Sequence, residues 1–528
     1  MVKLSDVNTR DIRDAVALGC HTMSSVFDPG DRDVPYFGAR ARPVAMLGGT
    51  SESHVPGRHL NALLNAEDAA GMALEEDAID KHARACFFSY GASLPLPLQR
   101  VDPAGQPSKL LAHDIREGFH ALYSLVKYRH SERARELAEA SIATIFDLWD
   151  PDSGWDVARM RRDHGVELWD HPLKSLVYNL GRSVGPLVKY YRATGYGPAL
   201  ELATVLKEKL IGEIYLEDGS HDNDLFGTHS HSTTCVMSSL AQLADLTRDS
   251  TLMDRVRAFY DNGLWAIRDE IGWSIEGSGP PDEDYPQGRN PDRGESNNTG
   301  DIVETALILG RWGYTQYYQD AERILRGHLL PAQLRDVSWM EEPANPDGAD
   351  GRRDVVERMR GAFGTPAPYG HEAIGLPSVG FAMDIVGGSV GSLCEAYREA
   401  TRLDEAGQWV NLLFDHETPD VQVESPYTHS ALRVRVKRPG PLFVRVPPWV
   451  DRGKVRVEGE AGRPRFSNGY LFIAEPPVNR TISFDFPLAG EEITMKHRTR
   501  DIRVRFRGDE VVAMDNHGAD LTYFDHLE

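Results

Sequence analysis

The spacing of apolar residues changes once along the chain, near residue 405, and this change constrains the fold more than any other feature. Before it, apolar residues recur every three to four positions, as at Ile115, Phe119 and Leu122, which is the repeat of an amphipathic helix. Five loose copies of helix, tight turn and Ala-rich helix follow one another at irregular spacing. Because a solenoid needs a fixed period, the pattern favours a closed toroid of inner and outer helices, with an open helical bundle as the alternative.

After residue 406 apolar and polar residues alternate, and Pro, Gly or Asn interrupts the alternation at short intervals. The segments ALRVRVKRP, PLFVRVPPWV and RTISFDFPL show this pattern, which is typical of an antiparallel β-sandwich. We therefore expect three parts. They are an N-terminal extension at 1–55 that packs on the helices, a helical domain at 56–405 and a β-sandwich at 406–528.

The chain is acidic and poor in cysteine. Its formal net charge of −22 leaves no basic footprint for nucleic acid. The four cysteines are widely scattered without a CxxC pair, which argues against a disulfide framework and suits a reducing compartment. No signal-like segment and no long apolar run is present. We expect a cytoplasmic protein without a membrane partner, for which a homo-oligomer remains open.

Two long segments, 273–299 and 339–388, fit neither periodicity. Loops of such length in a compact domain are functional or disordered. Both mix carboxylates with Gly, Pro or aromatic residues. We interpret them as rim loops above a central cavity, with disorder as the alternative.

The segment 282–304 is the densest source of carboxylates. Carboxylates packed closely repel one another, which raises the pKa of one of them toward the range of a general acid, whereas a solvated acidic loop is the plain alternative. Asp301 is predicted to open a helix, where an aspartate is stabilised as an anion and serves as a base, a nucleophile or only a cap. Glu304 is a candidate catalytic residue or a capping-box partner. The segment contains Asp282, Glu283, Asp284, Asp292, Glu295, Asp301 and Glu304.

Histidines recur on the predicted inner helices, at His120, His229 and His231. A single helical histidine is typically a core residue, but several on corresponding helices indicate the lining of a cavity. The His-Ser-His spacing of His229 and His231 is also compatible with a metal site, although no thiolate is near in sequence. Motifs for nucleotides, zinc proteases and serine hydrolases are absent, and we expect no cofactor and no bound metal.

The order of several motifs resembles that of glycoside hydrolase family 127, the bacterial β-L-arabinofuranosidases and their relatives. The similar stretches are GFHALYSLVKY, HSTTCVMSSLAQLADLT, TALILGRWGYTQYYQDAERIL, LFVRVPPWV and GYLFIAE. The resemblance implies an (α/α)6 barrel followed by β-sandwich elements, and a carbohydrate substrate.

The resemblance also implies site residues. His120 and His231 correspond to active-site histidines of the family, Glu283 lies near its general acid, and Asp301 corresponds to a zinc-binding cysteine. Gly387 and Gly388 correspond to paired cysteines, one of which is the nucleophile. Because both are glycine here, the cysteine mechanism does not carry over.

The leading hypothesis is a glycosidase that acts on a short oligosaccharide or glycoside, with Glu283 as acid and Asp301 as base or nucleophile. One alternative is a uronate lyase or sugar epimerase that uses His231 and Tyr285, and another is a non-catalytic carbohydrate-binding protein. The predicted substrate-binding residues are His120, His229, His231, Arg182, Tyr285, Arg289, Trp339, His371 and Asp384.

Overall fold

The computed structural model describes residues 2–91, 93–169, 175–278, 290–376, 379–459, 465–498 and 500–527. Twelve helices of nine residues or more lie in this part of the chain. They are α1 (Ile12–Ser24), α2 (Val55–Ala70), α3 (Glu76–Ser89), α4 (Asp114–Arg129), α5 (Glu132–Leu148), α6 (Val184–Thr194), α7 (Gly197–Glu213), α8 (Ser230–Thr247), α9 (Ser250–Asp261), α10 (Ser296–Arg311), α11 (Gln316–Ile324) and α12 (Met383–Ala400).

The even-numbered helices form a closed ring. Each contacts the next, from α2 through α4, α6, α8 and α10 to α12, and α12 contacts α2 again. The odd-numbered helices pack outside this ring, for example α3 against α2 and α4, and α11 against α10. In α2 and α8 almost every side chain is buried, as expected of helices covered on all sides. The first part of the chain is therefore helical, as predicted, and its helices alternate between inner and outer positions.

The first 55 residues do more than pack on the helical domain. They supply α1, which lies against α12 and α2 and so takes an outer position in the ring. Asp11 starts this helix, because its side chain accepts a hydrogen bond from the backbone N–H of Asp14 at 2.9 Å, which satisfies an otherwise unpaired donor. Val2–Lys3 also pairs with Leu521–Thr522 near the end of the chain.

Shorter elements connect the helices. Helical segments lie at Val157–His164, Asn223–Phe226 and Val355–Met359, with a π-helical turn at Leu325–Leu329. Short strands form small sheets at Phe27–Asp28, Val34–Pro35, Gly38–Ala41, Val44–Leu47, Leu98–Arg100, Pro107–Leu110, Trp149–Asp150, Gly154–Trp155, Glu167–Leu168 and Gly380–Ala382.

Strands dominate after α12 ends at Ala400, so the change of structure precedes the predicted boundary by a few residues. They are β1 (Thr401–Asp404), β2 (Gly407–Val410), β3 (His416–Glu417), β4 (Val421–Glu424), β5 (Leu432–Val436), β6 (Leu442–Arg445), β7 (Arg456–Glu458), β8 (Arg465–Ser467), β9 (Tyr470–Ile473), β10 (Thr481–Asp485), β11 (Gly490–His497), β12 (Arg500–Arg507), β13 (Glu510–Met514) and β14 (Asp525–His526).

Three sheets arise from these strands. Two have five strands, in the orders β1-β2-β6-β9-β8 and β3-β4-β5-β10-β7, and a third has the order β11-β12-β13-β14. The two five-stranded sheets share one apolar core that includes Val423, Val434 and Val444. The third sheet instead buries Met495 and Val504 in the core of the helical domain, which ties the end of the chain to the ring. Most pairs are antiparallel, as predicted, but β2–β6 and β13–β14 are parallel.

No helix in the described part of the chain combines the length and the apolar character needed to cross a membrane.

Candidate functional site

The N-terminal ends of the six inner helices meet at one end of the ring, and each brings an ionisable side chain there. These side chains contact one another across neighbouring helices, as the distances below show. The residues concerned, taken from α2 to α12, are His54, Asp114, Arg182, His231, Glu295 and Asp384.

Glu117, in the first turn of α4, gathers three arginines around one carboxylate oxygen. Its Oε1 accepts hydrogen bonds from Arg58 Nε at 3.0 Å, Arg116 Nη1 at 2.9 Å and Arg182 Nη2 at 3.5 Å. Burial alone would raise the pKa of Glu117, but the three guanidinium groups hold that pKa well below its usual value. Glu117 is therefore a buried anion.

His231 lies between two other buried carboxyl groups. Its Nδ1 is 3.7 Å from Glu295 Oε1, and its Nε2 is 3.6 Å from Asp301 Oδ2. Burial and the positive charges of Arg58 and Arg182 lower the pKa of His231 well below its usual value, so the imidazole is neutral. The two carboxyl groups thus approach different nitrogens of one uncharged ring.

Both of these carboxyl groups hold their protons unusually tightly. Burial, with Glu276 and Asp384 nearby, raises the pKa of Glu295 to about 8. Burial also raises the pKa of Asp301 to about 7, against the opposing charge of Arg116. Carboxyl groups with such pKa values exchange protons near neutral pH, as general acids and bases must.

The local structure around Asp301 differs from the sequence prediction. The helix α10 begins at Ser296, so Asp301 lies in its second turn and does not cap it. The predicted stabilisation as an anion by the helix N-terminus is therefore wrong, because burial dominates and raises the pKa of Asp301. Its Oδ2 accepts a hydrogen bond from Thr234 Oγ1 at 2.9 Å.

Glu304 is likewise no capping-box partner. One turn beyond Asp301, its carboxylate accepts hydrogen bonds from Ser238 at 2.9 Å and Ser392 at 2.8 Å. These serines belong to α8 and α12, so Glu304 joins three inner helices deeper in the ring.

A narrow cavity runs inward along the ring axis from these groups. It is bordered by residues of all six inner helices, among them Arg58, Arg116, His120, Lys189, His231, Asn297, Asp301, Glu304 and Gly388. Four of the predicted site residues, His120, His231, Asp301 and Glu304, are thus brought together around one space.

Aromatic side chains line the same end of the helical ring, from α2 to α8. His54 contacts His113 with ring centroids 5.5 Å apart, His113 contacts Tyr178 at 5.1 Å, and Tyr178 contacts His229 at 5.4 Å. His229 precedes α8, and its side chain accepts a hydrogen bond from the backbone N–H of Ser232. His229 and His231 therefore serve different partners, which disfavours the metal site considered for their spacing.

One group of potential metal ligands lies close together in the described ranges, namely His54, His113 and Asp114. The oxygens of Asp114 are already approached by His54 Nδ1 at 2.7 Å, Ser53 Oγ at 2.6 Å and Gln99 Nε2 at 3.0 Å. Burial alone would lower the pKa of His54, but Asp114 and Asp384 raise it to about 9. A protonated His54 bonded to Asp114 explains this group without a metal ion.

The remaining predicted residues are placed as follows. Arg182 and Asp384 belong to the ionisable side chains at the N-terminal ends of the inner helices. His371 is instead buried beside Tyr523, to which it is hydrogen-bonded at 3.1 Å. Trp339 donates from Nε1 to the backbone oxygen of Asp336. Neither His371 nor Trp339 borders the axial cavity. Glu283, Tyr285 and Arg289 lie outside the described residues.

The zinc site that the family resemblance implies does not fit the residues at this position. Gly387 and Gly388 offer no ligand, and the residue of α10 that faces Gly388 is Asn297, one turn before Asp301, which the resemblance aligned with a zinc-binding cysteine. A Cβ atom at Gly388 would lie 2.0 Å from Asn297 Oδ1 and 3.2 Å from Arg58 Nη1. A guanidinium cation thus lies where a thiolate would have to bind a metal.

We therefore expect Gly388→Cys to destabilise the protein without creating a zinc site. The clash with Asn297 is an overpacking change, which costs about 1–3 kcal/mol. The melting temperature and the zinc content of the purified variant test this. Gly391→Cys is the matched control on the same helix, because its added Cβ would meet only Asn61 Nδ2 at 3.5 Å. One zinc ion per chain in Gly388→Cys would contradict the expectation.

Comparison with known proteins gives a match in structure alone. No family model matches the chain, and no curated protein matches it either. Among solved structures, a GH127 β-arabinofuranosidase is 12% identical with a TM-score of 0.55, over 95% of this chain and 78% of that one.

Two further structures agree with the first. A GH127 β-L-arabinofuranosidase from Geobacillus stearothermophilus T6 is 14% identical with a TM-score of 0.53, over 96% of this chain and 86% of that one. A structure described as a glycoside hydrolase is 13% identical with a TM-score of 0.52, over 92% and 84%. The chain thus has the fold of a helical barrel with C-terminal sheets. Within that class, its fold is similar to that of GH127 β-arabinofuranosidases, as the sequence resemblance predicted.

Proposed function

We propose that the protein is a glycoside hydrolase that cleaves a short oligosaccharide or glycoside at the N-terminal end of the helical ring. In this proposal the ring with its outer helices is an (α/α)6 barrel, and the two five-stranded sheets form a β-sandwich. The observation that carries the proposal is the pair of buried carboxyl groups, Glu295 and Asp301, on either side of His231. Hydrolysis of a glycosidic bond requires such a pair, one member protonated and the other ionised.

Glu295 is the general acid in this mechanism. With a pKa near 8 it carries a proton at neutral pH, which it donates to the oxygen of the leaving group as the bond to the anomeric carbon breaks. Asp301, whose pKa is about 7, accepts a proton from water as the water oxygen attacks the anomeric carbon. The products are the free sugar and the alcohol. Glu295 is left ionised and Asp301 protonated, so Glu295 then gains a proton from solvent and Asp301 releases one, which restores the starting state.

The imidazole of His231 keeps the two carboxyl groups apart. Inverting glycosidases separate their carboxyl groups by about 6.5–9.5 Å to admit a water molecule, whereas retaining enzymes hold them about 5–5.5 Å apart. A ring between Glu295 and Asp301 favours the wider spacing, so we assign Asp301 as base instead of nucleophile. The anomer first released, observed by NMR, distinguishes the two.

The three arginines around Glu117 support this chemistry without taking part in proton transfer. Burial, together with the positive charges of Arg58 and Arg182, lowers the pKa of His231 and keeps the ring neutral, so the ring does not compete for the catalytic protons. The aromatic rings of His113, Tyr178 and His229 border the same end of the ring and offer surfaces on which a sugar ring stacks.

The arabinofuranosidase activity of the similar structures is not carried over, because the paired glycines at 387 and 388 leave no thiol nucleophile. The proposal includes a cytoplasmic location, which the four buried, unpaired cysteines support.

We expect a narrow, bell-shaped dependence of kcat on pH. Activity rises with pH as Asp301 loses its proton, through an apparent pKa near 7, and falls as Glu295 loses its proton, through one near 8. Rates at saturating substrate from pH 5 to 10 test this. Asp301→Asn should abolish the ascending limb and Glu295→Gln the descending limb.

The same experiment decides between Glu295 and Glu283 as the acid. If the descending limb survives in Glu295→Gln but disappears in Glu283→Gln, the acid is Glu283. An unsaturated product, which absorbs in the ultraviolet, would indicate a lyase. Sugar binding without turnover across a broad panel of glycosides would indicate a binding protein.

A further inference from the structure

Three basic side chains of neighbouring inner helices surround the middle of the axial cavity. Arg116 and His120 lie one helical turn apart on α4, and Lys189 lies on α6. All three border the cavity, on which Asp301 and Glu304 also open from α10. Each thus faces the space beside Asp301, the proposed base.

His120 and Lys189 lack partners that their chemistry demands. His120 is 6% exposed, and its buried Nδ1 has no hydrogen-bond partner among the described residues. Lys189, half-buried on the facing helix, makes no ion pair or hydrogen bond with any residue in those ranges. A buried polar group without a partner costs free energy, so His120 is positioned for a group that the chain itself does not supply. The ammonium group of Lys189 borders the same cavity and can bind that group.

The charge of the missing group follows from its surroundings. Within the described ranges, the one ion pair of Arg116 is with Glu117, and Glu117 already shares one oxygen among three guanidinium groups. Burial, together with the nearby cations Arg116 and Lys189, lowers the pKa of His120 well below its usual value. The N–H donors of Arg116, His120 and Lys189 converge on this cavity, and such a set of donors favours an anion.

We propose that Arg116, His120 and Lys189 form a binding site for the carboxylate of an acidic sugar, so that the substrate is a glycoside of a uronic acid. This assignment rests on the proposed function, since it places the carboxylate of the substrate beside Asp301, the proposed base. Guanidinium, imidazole and ammonium N–H groups provide charge-assisted hydrogen bonds to both carboxylate oxygens. A neutral hexose has no group that uses the charge of Lys189, so the site discriminates between the two classes.

Binding and turnover of matched sugars test the assignment. Calorimetry compares glucuronate and galacturonate with glucose and galactose, and glucose 6-phosphate serves as the phosphate counterpart. Nitrophenyl glycosides of the same sugars measure kcat/KM. We expect at least one uronate to bind ten times more tightly than its neutral counterpart and its glycoside to be preferred by a similar factor.

Lys189→Met should remove this preference. The variant is expected to weaken uronate binding about tenfold or more, mainly through KM, while the binding of neutral sugars stays within twofold. Lys127→Met is the matched control, because Lys127, like Lys189, borders a second cavity near the C-terminal ends of the inner helices but does not border the axial cavity. Lys127 donates to Tyr128 Oη at 2.9 Å. Melting temperatures show that both variants are folded.

Failure of this assignment and failure of the proposed function give different results. Hydrolysis of neutral glycosides with no preference for uronates would overturn the acidic-sugar site and leave the hydrolase intact. Uronate binding that depends on Lys189, without hydrolysis of any glycoside, would support the site and overturn the hydrolase. Tighter binding of the sugar phosphate than of every uronate, or no uronate bound more tightly than its neutral counterpart, would overturn the assignment to a carboxylate.

Discussion

Asp301→Asn is expected to lower kcat by roughly 10²–10⁴, the usual contribution of general acid–base assistance. Activation of the attacking water is common to every glycoside, so the loss should be similar for substrates with good and with poor leaving groups. Glu295→Gln should behave differently, because a good leaving group needs little protonation. Its loss should be large for an alkyl glycoside and small for a nitrophenyl glycoside, and kcat for the two substrates measures the contrast.

The asparagine variant separates catalysis from structure. Its amide oxygen can still accept the hydrogen bond from Thr234 Oγ1, which lies 2.9 Å from Asp301 Oδ2, so we expect the melting temperature to change little. Glu304→Gln, one turn further along α10, is the comparison variant. Nearly full activity in Asp301→Asn together with a large loss in Glu304→Gln would transfer the role of base to Glu304, and a loss in neither would place the base on Asp384 or outside this cavity.

The fold was predictable from the sequence to the extent that periodicity encodes it. The three-to-four repeat identifies the helices, and the alternation after residue 406 identifies the strands. The position of α1 was less predictable, because its amphipathic face is compatible with an independent N-terminal extension as well as with an outer helix of the ring. Only its contacts with α12 and α2 distinguish the two.

The start of α10 shows why local patterns misplaced a site residue. The sequence Asn-Asn-Thr-Gly before Asp301 is typical of a turn or a cap, since such side chains bond to nearby backbone. Here the side chain of Asn298 instead donates to the backbone oxygen of Ile275 at 3.0 Å, on a distant segment. This tertiary bond allows the helix to begin earlier, which moves Asp301 into the second turn.

The cluster of three arginines around Glu117 was the least predictable part of the site. A glutamate on an amphipathic helix is typically exposed, and nothing near Glu117 in the sequence indicates that Arg58 and Arg182 converge on it from other helices. Glu295 was visible only as one of seven carboxylates in an acidic segment. Its burial and its contact with His231 depend on the closure of the ring, which is not encoded in any local pattern.

The surplus of arginine around Glu117 predicts the largest effect on stability. Glu117→Gln removes the anion that balances Arg58, Arg116 and Arg182 and leaves three guanidinium groups buried without it. Breaking a buried ion pair by removal of one partner costs about 3–5 kcal/mol. We expect the free energy of unfolding, measured in urea at pH 7, to fall by about that amount.

The dependence of this loss on pH tests its electrostatic origin. Burial would raise the pKa of Glu117, but its arginine partners hold it well below the usual value, so the carboxylate stabilises the fold above the unfolded-state pKa. That contribution is lost as the pH falls through the folded-state pKa, and the difference between wild type and variant should therefore persist at neutral pH and narrow only in acid. Glu213→Gln, which removes an exposed partner of Lys209 at 2.6 Å, is the control and should cost less than about 0.5 kcal/mol. A loss in Glu117→Gln no larger than this control would mean that the arginines are balanced by other charges.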